Sequence, residues 1–163
     1  MKTQVRGDEN LYICIMEATP IRLLLADDDE DDRMFFEDAL EGLPVKPLLN
    51  TVSDGEQLIK LLTNESTILP DVLFLDLNMP RKNGFECLTE IKCHDRLKSL
   101  QVIIYSTSLD REVVNLLYEK GAHCYVRKPG DFYSLKKVIH EAIIAVLQNN
   151  KSQRVKENFV IQI

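Results

Sequence analysis

Five side chains of the 163-residue sequence sit where they can do chemistry together: Asp27, Asp28, Asp76, Ser106 and Lys128. Asp27, Asp76, Ser106 and Lys128 each directly follow a short apolar run, at 21–26, 71–75, 102–105 and 123–127, and Asp28 comes next after Asp27. If those runs are strands of an open parallel sheet, ligands bind just beyond their carboxyl ends. One sheet edge then gathers three carboxylates, a hydroxyl and an ammonium. Crowded carboxylates repel, so one of them takes up a proton unless a cation intervenes. A hard divalent ion such as Mg²⁺ removes the conflict, because it prefers oxygen ligands, keeps several waters and commonly joins carboxylates to a phosphoryl group. The chemistry expected is phosphoryl transfer. Asp76 would attack phosphorus in line, the cation and Lys128 would offset charge on the phosphoryl oxygens, and Ser106 would hydrogen-bond one of them.

The elements that must position these groups are legible in the hydrophobic pattern. Five short apolar runs, the four above and a weaker one at 47–52, alternate with segments of helical periodicity, which predicts an α/β domain with a parallel sheet. Met34, Phe35, Ala39 and Leu40 mark one crossover helix, and Leu58, Ile59, Leu61 and Leu62 another. A last helix over about 131–147 places Leu135, Val138, Ile139, Ala142, Ile143 and Val146 on one face to close the domain. Asp54 with Gly55, Asn83 with Gly84, and Gly121 read as turns. A chain of this length, 45% hydrophobic, fits one domain with a full core. The net charge of -6 disfavours nucleic acid, whose phosphates require clustered positive charge. No apolar run approaches the ~20 residues of a membrane span. Cys14, Cys87, Cys93 and Cys124 show no metal-ligand spacing and read as reduced thiols.

Four segments, LLLADDDEDD, FLDLNMPRKNG, VIIYSTS and YVRKP, occur in this order, each at a strand end. Together they resemble the receiver domain of bacterial two-component response regulators over residues 20–148. The resemblance implies a flavodoxin-like, doubly wound, five-stranded parallel sheet of order 2-1-3-4-5 with helices on both faces. It implies Asp76 as the phosphoacceptor, taking phosphoryl from a kinase phosphohistidine. Mg²⁺ would be held by Asp28, Asp76 and the backbone carbonyl of Asn78, with Asp27 acting through water. Ser106, Thr107 and Lys128 would meet the phosphoryl group, and Tyr125 would be the aromatic residue that reorients with it. The DLNMP loop is similar to that of stand-alone, phytochrome-associated regulators. That likeness implies a sensor histidine kinase of phytochrome type, or a histidine phosphotransfer protein, as partner. It also implies a cytoplasmic signalling protein that assists its own phosphorylation and dephosphorylation but is not otherwise an enzyme. Thr107 stands where many members carry alanine and would crowd a hydrolytic water; Gly130 loosens the start of the last helix.

Other readings fit less well. Acidic runs are usually solvated, so Asp29, Glu30, Asp31 and Asp32 are expected to open a helix at the positive end of its dipole, with no part in the site. His94, His123 and His140 lack ligand spacing and receive no role. A phosphatase of the haloacid dehalogenase type needs a second acid two residues after its nucleophile, where this chain has Asn78. A phosphorylation-independent docking domain would not require the whole set. Residues 1–19 are expected to be an extension, disordered or derived from cloning, and 149–163 a C-terminal tail. The apolar 159–163 segment is expected either to be disordered or to add to a sheet edge and support homodimerisation.

Overall fold

The computed structural model describes residues 20–43, 46–148 and 156–162. The extension 1–19, and Cys14 within it, lie outside these residues. The strands are β1 (Ile21–Ala26), β2 (Pro47–Val52), β3 (Val72–Leu75), β4 (Gln101–Ser106), β5 (Cys124–Arg127) and β6 (Val160–Ile161). The helices are α1 (Glu30–Leu40), α2 (Gly55–Thr63), α3 (Gly84–Cys93), α4 (Arg111–Glu119) and α5 (Phe132–Gln148). All strand pairs are parallel, in the order β2-β1-β3-β4-β5-β6. All four residues of β3 are buried, as a central strand covered on both faces requires.

Four of the helices begin where the sequence supplies a cap. Asp29 accepts from the N–H groups of Asp31 and Asp32, Asp54 from that of Gln57, and Asp110 from those of Glu112 and Val113. Asn83 and Glu86 form a reciprocal capping box at the start of α3. The sheet's core joins Phe36, Phe74 and Tyr105, edge to face, with ring centroids 4.9, 5.6 and 6.2 Å apart. One sequence expectation is corrected in α1. Phe36, Ala39 and Leu40 form its buried face, whereas Met34 and Phe35 are 55% and 50% exposed. Two adjacent aromatics, Phe35 and Phe36, cannot share one side of a helix, and the aromatic triad takes the second.

Among the described residues the sheet has six strands, not the five expected. After α5 the chain returns to the sheet, and Val160 and Ile161 pair with Tyr125 and Val126. The segment expected to be disordered or to bridge two copies therefore covers the edge of β5 within its own chain. Phe159 anchors it: its side chain is 2% exposed and packs edge to face on Tyr118 at 5.2 Å. Its carbonyl accepts a 2.7 Å hydrogen bond from the Tyr125 N–H. Phe159→Ala is expected to cost about 3 kcal/mol through the cavity left behind. A melting temperature lower by roughly 6–12 °C would register that loss, and an unchanged one would show that the strand does not support the fold.

Candidate functional site

Strand register carries the acids to one place. Ala26 lies beside Leu75 in the β1–β3 pair, so Asp27 and Asp76 emerge together at the carboxyl edge. The ladder continues into them, with Asp27 N–H donating to the Val52 carbonyl at 3.1 Å and Asp76 N–H to that of Ala26 at 2.9 Å. Ser106 lies beside Arg127, and Lys128 N–H donates to the Ser106 carbonyl at 2.8 Å, which delivers the lysine to the same edge. Carboxylate oxygens of Asp27, Asp28 and Asp76 fall within 4.8 Å of one another. Asp27 and Asp76 are buried, 0% and 6% exposed, while Asp28 faces solvent.

Burial has a measurable consequence for the acids. Desolvation, with the Asp27 charge adding to it, pushes the Asp76 carboxyl up to about 6, against the opposing pull of Lys128 and the backbone N–H groups of Asn78 and Leu77. Asp27 is also raised, mainly by burial, although Lys128 holds it down. The ammonium of Lys128 lies 2.7 Å from Asp27 Oδ2 and 3.9 Å from Asp76 Oδ2, with the Tyr105 ring 4.8 Å away. Desolvation alone would lower Lys128, but its hydrogen bonds to Asp27 and Asp32 outweigh that and raise it. This donor set fits a divalent cation. Three hard oxygen ligands converge, and burial penalises their charge in a way that one further positive ion would relieve.

The loop after β3 is held by close packing and by one ion pair. Gly84 is obligatory, since a Cβ there would lie 2.1 Å from the Asp76 carbonyl oxygen. Gly55 is obligatory for the same reason, because its Cβ would lie 2.0 Å from the carbonyl oxygen of Lys82. Arg81 adopts a left-handed φ of 66°, and its guanidinium donates to the buried Asp54 at 3.0 Å. The sequence marks Asp54 and Gly55 only as a turn. Their role in seating the loop after β3 depends on residues 27 positions away and leaves no local signal.

Of the residues expected at the site, Asp27, Asp28, Asp76 and Lys128 are brought together. Ser106 is fully buried, and its hydroxyl lies 3.4 Å from that of Ser108. Tyr125 is also fully buried, and its hydroxyl donates to the Ser108 carbonyl. Thr107 is exposed and borders a cavity of about 240 Å³ shared with Lys128, Tyr105 and Phe132. Asn78 is exposed on the loop beside Asp76. Two participants were missed. Ser108 links Ser106 to Tyr125, and its place in the STS run was the available clue. Asp32, assigned only to the opening of α1, places Oδ2 2.8 Å from the Lys128 ammonium.

Known proteins share this fold. Response regulator Rcp1 of Synechocystis sp. is 30% identical over 128 residues, which cover 76% of this chain and 87% of Rcp1. The Mn²⁺-bound form of Rcp1 superposes with a TM-score of 0.71 at 27% identity, over 83% of this chain and 99% of that one. The phosphorylated cyanobacterial phytochrome response regulator RcpA gives 0.70 at 28% identity, over 82% and 98%. The bacteriophytochrome response regulator RtBRR gives 0.65 at 26%, over 84% and 82%. The family model described as response regulator receiver domain matches residues 23–140. With that match falling on the strand-end acids and the lysine that the sheet assembles, the chain belongs to the response regulator receiver domain family, the phosphoryl-accepting module of two-component signalling.

Proposed function

We propose that Asp76 is the phosphoacceptor and that residues 20–148 are the receiver unit, taking phosphoryl from a phosphohistidine. The observation that carries this reading is the buried Asp76 carboxylate at the centre of an acid cluster, with one ammonium 3.9 Å away. Asp28, Asp76 and the carbonyl of Asn78 would hold Mg²⁺, with Asp27 acting through water. Bound there, the ion would supply countercharge to the phosphoryl oxygens. The chain's own groups do the rest. An Asp76 oxygen bonds to phosphorus as the donor's P–N bond breaks, and the electron pair leaves with the imidazole. Lys128 offsets charge on the transferred oxygens, and Ser106 and Thr107 offer hydroxyls to them. Hydrogen bonding by Ser106 would alter its contact with Ser108, and through the Ser108 carbonyl the position of Tyr125.

The likeness to RcpA and RtBRR supports a phytochrome-type histidine kinase as donor, with a histidine phosphotransfer protein as the alternative of the same chemistry. Output would then pass by protein contact in the cytoplasm, and homodimerisation would use a surface other than the β5 edge. Among the described residues, no helix is long and apolar enough to cross a membrane.

Acetyl phosphate tests the acceptor directly. Incubated with Mg²⁺, the chain is expected to gain one acyl phosphate, mapped to residue 76 by borohydride reduction and prevented by a chelator. Modification elsewhere, or labelling indifferent to the chelator, would refute the assignment.

A further inference from the structure

Lys128 is held by two acids, and only one of them belongs to the acid cluster. Its ammonium donates to Asp27 Oδ2 at 2.7 Å and to Asp32 Oδ2 at 2.8 Å, and stands 3.9 Å from Asp76 Oδ2. An ammonium has three protons to donate, so two are already committed. The two partners differ in environment. The Asp27 side chain is fully enclosed, and its other oxygen accepts from the Asp29 N–H at 3.0 Å. Asp32 projects from the first turn of α1, its side chain 37% exposed, and borders the cavity shared with Thr107 and Lys128. A phosphoryl group on Asp76 brings anionic oxygens that must be met by this ammonium. Asp27 would be left buried and unpaired if it gave Lys128 up, whereas Asp32 would turn into water at little cost.

We propose that Asp32 is a positioning residue that gates Lys128, holding its ammonium off the acceptor before phosphoryl transfer and releasing it as the phosphoryl group arrives. The proposal rests on the reading of Asp76 as acceptor. It makes Asp32 a brake on phosphorylation set by charge, because its carboxylate competes with the phosphoryl oxygens for one cation.

The test is the initial rate of Asp76 labelling by acetyl phosphate in Mg²⁺. Asp32→Asn and Asp32→Ser are expected to label about three- to fivefold faster than wild type, the scale of one partly exposed ion pair. Asp32→Glu restores the charge and is expected to restore the wild-type rate. Asp31→Asn, an exposed acid on the same turn, should also match wild type. The gain should shrink with phosphoramidate, a less highly charged donor, which mere loosening of α1 would not produce. Neutral Asp32 variants that fold, as thermal melts will show, and label no faster than a wild-type chain labelled at Asp76 overturn the gate and leave the acceptor standing. A wild-type chain that does not label at Asp76 overturns both.

Discussion

Asp76→Asn is expected to accept no phosphoryl group and, without metal, to melt at a higher temperature than the wild-type chain at neutral pH. The first effect follows from chemistry, since the amide has no anionic oxygen to attack phosphorus. The second follows from burial. The Asp76 carboxyl is raised from 3.8 to about 6, chiefly by desolvation, so the folded state holds its proton more tightly than the unfolded chain does. The stability this gives is fully present below about pH 4 and is lost as pH rises through about 6. A difference of about two pH units corresponds to about 3 kcal/mol at pH 8. Asparagine, neutral at every pH and nearly the same shape, avoids the loss. Metal-free melts should therefore show Asp76→Asn level with wild type near pH 4 and ahead by roughly 6–10 °C near pH 8. Millimolar Mg²⁺ should narrow the gap by stabilising wild type more than the variant. A variant that melts with or below wild type at pH 8 would mean that the cluster carries no electrostatic strain.

Replacing the lysine should do the opposite. Lys128→Met keeps the length of the side chain but removes the ion-pair partner of the fully buried Asp27 carboxylate, leaving Arg33 in contact only with the Asp27 main-chain carbonyl. Removing one partner of a buried pair typically costs about 3–5 kcal/mol, because the remaining charge must stay unpaired or take up a proton. Asp27 is already raised by burial, and without Lys128 it would rise further. The deficit should therefore be small in acid, where the carboxyl is neutral in both states, and should grow as pH increases. Labelling should fall by about 100-fold or more, the usual loss when one charge-stabilising donor is removed from a transfer site. Denaturant melts across pH, run beside the acetyl phosphate assay, would check both. A variant as stable as wild type at pH 8 would show that Asp27 does not depend on this lysine.

The two variants shift stability in opposite directions because the site holds more buried negative charge than it can balance alone. Removing a carboxylate relieves that imbalance, and removing the ammonium worsens it. The Asp54–Arg81 pair and the close approaches at Gly55 and Gly84 have the complementary task of keeping the acceptor loop seated.

Much of this protein follows from local sequence. An apolar strand ending in an acid, and a capping residue opening the next helix, are short-range patterns, and parallel strands must align their carboxyl ends. From these alone Asp27, Asp28, Asp76, Ser106 and Lys128 could be assigned to one edge, and the parallel α/β architecture predicted. What only the tertiary structure decided involves partners distant in the chain. Whether Met34 and Phe35 or Phe36 faced inward depended on the room that Phe74 and Tyr105 left. The pairing of Asp32 with Lys128 spans 96 positions and arises because α1 and the end of β5 meet at the sheet edge. The tail's choice between solvent, a second copy and its own sheet depended on whether the β5 edge was open beside Tyr118 to receive Phe159. Periodicity and caps report which way each residue faces along its own element, whereas these three outcomes depend on which elements become neighbours.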